Sequence, residues 1–228
     1  MGGSQMVLAV GWAALVAAAS ACSQARPSEG TAETGLNSDT CRACHGSAES
    51  PAPPRDLAGN FDPSVIGVGA HEAHLFAEHS LSAPIACADC HRVPTHLHSP
   101  GHLDHPLPAD VSFTGLAVAD SAASTWSHTT ASCSATYCHG GGAALSTDAS
   151  GGLNRTPVWT AGASQVYCGS CHGIPPRDAT HNSLRITIGD CYRCHAGTVD
   201  RAGNIILSGP PDARTSLHVN GVIDVQAP

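Results

Sequence analysis

The apolar positions of this chain fall in short runs, and no helical or strand period is sustained. Met6 to Ala19 is an apolar run too short for a membrane span, and Ala19-Ser20-Ala21 closes it with the small-x-small form of a cleavage site. Residues 1–21 therefore read as a signal peptide, although no positive side chain precedes the run. Ser23 to Ser38 is small and polar, and reads as a flexible tether. Further on, Ala70 to Ser80 predicts a short helix carrying His71 and His74 three apart on one face, with Leu75 beside them. Val111 to Ala119 reads as a strand around Phe113, and Asn204 to Leu207 and Val219 to Val225 as two more. Pro51, Pro53 and Pro54 end any helix near them, Gly140 to Gly152 is a Gly-rich loop, and Asn220-Gly221 is a turn signal. The expected fold class is mostly irregular, with a few short helices and short strands.

What organises such a chain is a repeated motif. Cys41-x-x-Cys44-His45, Cys87-x-x-Cys90-His91, Cys168-x-x-Cys171-His172 and Cys191-x-x-Cys194-His195 share one pattern, and Cys133-x4-Cys138-His139 is a wider version of it. Cys-x-x-Cys-His is the attachment signature of c-type haem: two thiols form thioethers to the porphyrin, and the adjacent His reaches the iron. A zinc ribbon needs paired cysteines but has no reason to place His after each pair, and a disulfide framework does not fix the following residue at all. Ten of the eleven cysteines fall into the five units. The expectation is five covalently bound haem c groups, with His45, His91, His139, His172 and His195 as proximal ligands. Two haem modules follow from the spacing: residues 39–125 with two Cys-x-x-Cys-His sites, and residues 126–228 with the wide site and two more.

Composition agrees with this. The chain has 228 residues but only three each of Trp, Tyr and Phe, with 24 Gly and 16 Pro. That leaves too few large apolar groups for an ordinary core of this length, and buried macrocycles would supply the missing mass. There is no Lys, and a formal charge of −8 argues against nucleic acid as a partner. It suits basic redox partners, other cytochromes, or an extracellular metal or mineral acceptor.

Each iron has a sixth coordination position. Met1 and Met6 both lie in the signal peptide and Lys is absent, which leaves His, water or nothing. Ten His remain beyond the proximal five. His71 and His74 stand out as a pair, each open to a different haem, followed by His102, His181 and His218 beside turns or motifs; His128 is next. His79, His96, His98 and His105 read equally as solvated loop residues. Cys22, directly after the cleavage point, is a candidate lipidation site, since the segment resembles a lipobox with Ala19 where Leu is usual. The protein is then exported and held by a lipid anchor at the outer membrane, or sits in the periplasm or at the cell surface.

From about Cys41 to Asp224 the chain resembles the multihaem c-type cytochromes with mixed CXXXXCH and CXXCH motifs, found mainly in metal-respiring bacteria. The resemblance is carried by Gly69-Ala70-His71-x-x-His74-Leu75, His91-x-Val93-Pro94, Pro100-Gly101-His102, Tyr137-Cys138-His139-Gly140, His172-Gly173-x-Pro175-Pro176 and His218-Val219-Asn220-Gly221. It departs where His105 stands in place of a usual Gly. It implies extracytoplasmic electron transfer, often at the outer membrane and often by a lipoprotein. Closely spaced bis-His haems have no open site and low potential, so the chain reads as an electron relay and not as an enzyme. A multihaem reductase with one open haem, the wide Cys133 site being the most plausible, is the second reading; a subunit of a haem filament is the third.

Overall fold

The structure, a computed structural model, describes residues 41–48, 55–76, 81–104, 107–210 and 213–226. The expected signal peptide and tether, Cys22, His79 and His105 lie outside the described residues. All described residues fall within one compact unit, Leu36–Pro228. Among them no helix is long and apolar enough to cross a membrane.

Regular structure is sparse, as the density of Gly and Pro dictates. The α-helix α1 (His71–Leu75) lasts a little over one turn and stops where Phe76 turns extended, and Cys41 and Arg42 are helical as well. One hairpin pairs β1 (Thr125–Ser127) with β2 (Ser132–Ser134) and sets Trp126 opposite Cys133. Short 3-10 turns make up much of the rest, and three of them, Cys87–Asp89, Tyr137–His139 and Ile188–Arg193, overlap the cysteine motifs. Local chemistry closes two of these turns: Asp89 accepts the Ala86 amide at 2.9 Å, and Asp190 accepts the Thr187 amide at 3.0 Å and its hydroxyl at 2.9 Å. In the motifs at Cys41, Cys87 and Cys191, the amides of the second Cys and of the His both bond back to the first Cys carbonyl. Three motifs separated by long stretches of chain thus adopt one backbone turn.

The expected strands are not strands. Ser112 and Thr114 give their amides to the Cys90 and Asp89 carbonyls, and from Gly115 the chain winds into a 3-10 stretch, Gly115–Ser121, kinked at Asp120. Residues 219–225 turn instead, with Val219 and Gly221 at positive φ and the Asn220 side-chain Oδ1 accepting the Val222 amide. Residues 204–207 contribute a single bridge, Val199 to Ile205. A strand needs a neighbour along its length; here the backbone groups are taken up one by one by the motif loops.

A second repeat, not singled out above, is Asp-x-Ala-Gly-Asn at 56–60 and again at 200–204. In each copy one Asp carboxylate oxygen accepts the Ala and Asn amides, and the other accepts the Asn side chain. The two tight turns share one bond pattern.

The chain's own core is slight. Among the described residues only Val68, Ala117 and Ala122 are buried apolar side chains, while Phe61 is 67% and Leu107 74% exposed. Long-range ties are polar: Trp159 Nε1 donates to the Ile66 carbonyl at 3.0 Å, and the Gly221 amide to the Tyr137 hydroxyl at 3.2 Å.

Candidate functional site

The histidines share one arrangement. Nδ1 of His71 donates to the Val68 carbonyl (2.7 Å), His74 to Ala70 (2.8 Å), His91 to Asp110 (2.9 Å) and His102 to Leu97 (2.8 Å). His172 donates likewise to Gly173 (2.8 Å), His195 to Asp224 (2.7 Å) and His218 to Leu81 (2.6 Å). A carbonyl only accepts, so Nδ1 carries the proton in all seven and Nε2 carries the free lone pair. His181 reaches the same tautomer through the Asp178 carboxylate, at 2.8 and 2.9 Å. Fixing Nδ1–H on a backbone or carboxylate oxygen is how proteins orient histidines that ligate metal through Nε2. The arrangement takes in all five distal candidates, His71, His74, His102, His181 and His218. His139 differs in that its Nδ1 is buried without a hydrogen-bond partner among the described residues.

The histidines meet in twos. His71 faces His91 with ring centroids 6.2 Å apart, His74 faces His139 at 6.1 Å, and His172 faces His218 at 6.3 Å. Each pair joins one motif His to one distal candidate. Among the described residues, no group of three or more His, Cys, Asp or Glu gathers into a metal site. His128, by contrast, is exposed and packs edge-on against Trp126 at 5.6 Å, and His96 and His98 are exposed as well.

α1 explains how two pairs come to lie together. Residues three apart share a helix face, so His71 and His74 leave one turn toward different motif histidines. Trp159, from the segment that bridges to β2, stands 4.7 Å from His71 and 5.4 Å from His74. Burial lowers the His71 and His139 pKa values to about 4, and it lowers those of His74 and His218 as well. These imidazoles are neutral at physiological pH, the form in which Nε2 binds a metal.

The thiols also fit thioether attachment. Nine motif cysteines are free: Cys41, Cys87, Cys90, Cys133, Cys138, Cys168, Cys171, Cys191 and Cys194. Cys44 is disulfide-bonded, a bond that attachment to a porphyrin would have to replace. Burial pushes Cys90 and Cys133 up to about 11 and Cys138 up to about 12. A redox-active dithiol needs the opposite, a thiol lowered toward neutrality. Neighbouring motifs touch: Cys171 Sγ lies 3.7 Å from the Cys138 carbonyl. That approach requires Gly140, at φ +86°, where a Cβ would stand 2.1 Å from the Cys171 carbonyl oxygen.

Two acidic residues, neither of them picked out in the sequence, shape the loop after Cys168–His172. Asp148, only 8% exposed, accepts the amides of Gly173 and Arg177 at 2.7 Å, the Ser150 amide at 3.0 Å and the Ser150 hydroxyl. Burial pushes its carboxyl up, but these hydrogen bonds outweigh that and hold it well below the usual carboxylate range. Asp178 holds His181 three residues on. The Asp-x-x-His spacing was a visible signal for this contact; nothing local marked Asp148 or Trp159.

Comparison with known families gives one match. Residues 132–172 match the family described as the Geobacter CxxxxCH...CXXCH motif. The match spans Cys133, Cys138, His139, Cys168, Cys171 and His172. It is consistent with a multihaem c-type cytochrome bearing such motifs, and with electron transfer as the associated role. No curated protein and no solved structure matches the chain.

Proposed function

We propose that this chain is a pentahaem c-type cytochrome that relays electrons outside the cytoplasm through bis-His haems. The carrying observation is the spacing of the three histidine pairs. A metal–imidazole bond of about 2.0–2.1 Å on each side, plus roughly 1.1 Å from ring nitrogen to ring centre, sets two coaxial rings about 6.3 Å apart. The pairs lie at 6.1 to 6.3 Å. Their interplanar angles differ, as they are free to do when each ring turns about a common axis: 26° for His71 and His91, 75° for His74 and His139, and 67° for His172 and His218.

Haem, when bound, supplies reversible one-electron chemistry. The chain's residues do the rest. Backbone carbonyls fix the Nδ1 proton of seven histidines, so those rings do not need to rotate when the iron changes charge. Cys90 lies near enough to Cys133 and Cys138 to feel their charge, and Cys171 touches the Cys138 carbonyl, which supports closely spaced cofactors. No Met follows Met6, and His on both faces favours low potential. Exposed apolar side chains such as Phe61, Leu107 and Leu153 are suited to cover macrocycle edges. In this reading residues 1–21 are a signal peptide and Cys22 a lipidation site, and the exported chain, at the outer membrane or in the periplasm or at the cell surface, exchanges electrons with other redox proteins or with a metal or mineral acceptor.

Low-temperature EPR on the oxidised, haem-loaded protein tests this reading. All five ferric irons should be low-spin. The near-parallel His71–His91 pair should give a rhombic spectrum, and the two near-perpendicular pairs should give signals with one dominant large g-value. His74→Ala should turn about one fifth of the iron high-spin. A wild-type high-spin signal from one haem would overturn the relay reading in favour of a reductase.

A further inference from the structure

Seven of the described histidines rest Nδ1 on a backbone carbonyl; His181 rests it on a carboxylate. We infer that Asp178 is a positioning residue that lowers the potential of the iron bound by His181. The inference builds on the reading of His181 as an axial ligand.

Asp178 is built for this contact. Its Oδ1 accepts the Thr180 amide at 2.8 Å and the His181 amide at 2.9 Å, which fixes the carboxylate against the ring. Both carboxylate oxygens lie within 2.9 Å of His181 Nδ1, and the two side chains are 22% and 18% exposed. His181 lines a cleft that mixes apolar Ile174, Pro175 and Leu184 with polar Ser150 and Asn182 and the cationic Arg177. A carboxylate draws on the Nδ1 proton far more strongly than a peptide carbonyl, so Nε2 becomes the more basic donor. A stronger donor with a nearby negative charge favours ferric over ferrous iron. The seven histidines tied to carbonyls have neutral oxygens in the same role, so among these eight histidines the charge acts at His181 alone.

Spectropotentiometry and EPR on the haem-loaded full chain test the inference, using Asp178→Asn, Asp178→Glu and His181→Ala. Asn keeps a carbonyl oxygen for the Thr180 and His181 amides, so the turn persists while the charge is lost. In Asp178→Asn one step, about one fifth of the titrating absorbance, should shift positive, with every iron still low-spin and the g-values of one signal changed. Asp178→Glu should restore the wild-type curve. A titration that superimposes on wild type with all irons low-spin overturns the inference and leaves the relay reading intact. A high-spin signal in Asp178→Asn also overturns it, because Asp178 then merely holds the ring. If His181→Ala leaves every iron low-spin, His181 is not a ligand, and both that assignment and the inference fail.

Discussion

The histidines around Trp159 and the histidine of the 178–182 turn are held by different means. Around Trp159, His71 and His74 are tied to the carbonyls of Val68 and Ala70, close along their own chain, and the Trp159 indole packs beside them with Trp126 against it. In the outer loop carboxylates do the tying: Asp148 gathers Gly173 and Arg177, and Asp178 gathers Thr180 and His181. Backbone carbonyls do not titrate and carry no charge, so the inner ties constrain position alone. Carboxylates do both, so the outer loop couples position to charge. A chain with almost no core of its own can therefore hold chemically identical ligands rigidly in both regions and still give them different electrostatics.

The largest effect should come from the inner region. Gly69 sits at φ +46°, and a Cβ there would stand 1.7 Å from Trp159 Nε1. Gly69→Ala must displace the indole and strain the backbone at the start of α1, at a cost of about 3 kcal/mol or more. Because α1 carries both His71 and His74, two irons should turn high-spin together. EPR quantified against total haem, with a thermal melt of the same sample, would show it. A loss confined to one iron would mean that the two ligands are not held as a unit.

The outer region should respond to acid through Asp148. Its carboxyl is held below the ordinary value in the folded chain, so its contribution is complete above about pH 4 and is lost as the pH falls further. Asp148→Asn keeps one acceptor oxygen, loses the charge, and should cost about 2 kcal/mol near neutral pH. Amide exchange at Gly173 and Arg177 is the check. It should quicken in the wild type as the pH drops below about 4, and should already be fast at neutral pH in the variant.

How much of this was legible in the sequence differs by region. The five motifs are legible because each sets two thiols and a histidine within five to seven residues. His71 and His74 were legible as a pair because helical spacing is local. Which motif histidine each one faces was not, since that depends on Trp159 arriving from far along the chain to bond Ile66. His218 was a candidate by sequence, but its tie is to Leu81, 137 positions away. The strand expectations at 111–119 and 219–225 failed for a related reason. Alternating apolar residues predict a strand when a sheet is available to pair with it; here the Cys90, Asp89 and Cys194 carbonyls take the amides of Ser112, Thr114 and Gln226 instead.

The smallest expected effect separates packing from hydrogen bonding at the point where the inner region is tied together. Trp159 does two things: its ring stands against His71 and His74, and its Nε1–H donates to Ile66. Trp159→Phe keeps an aromatic face and removes the donor, leaving the Ile66 carbonyl to water, at a cost of about 1 kcal/mol. The melting temperature should fall by a few degrees while every iron stays low-spin. The two ligand rings are fixed independently by the Val68 and Ala70 carbonyls, so losing the Ile66 bond should loosen the scaffold without turning the rings. If Trp159→Phe instead frees a ligand, the indole N–H, and not α1, holds the pair in place, and the contrast between carbonyl-tied and carboxylate-tied regions would have to be redrawn around that single bond.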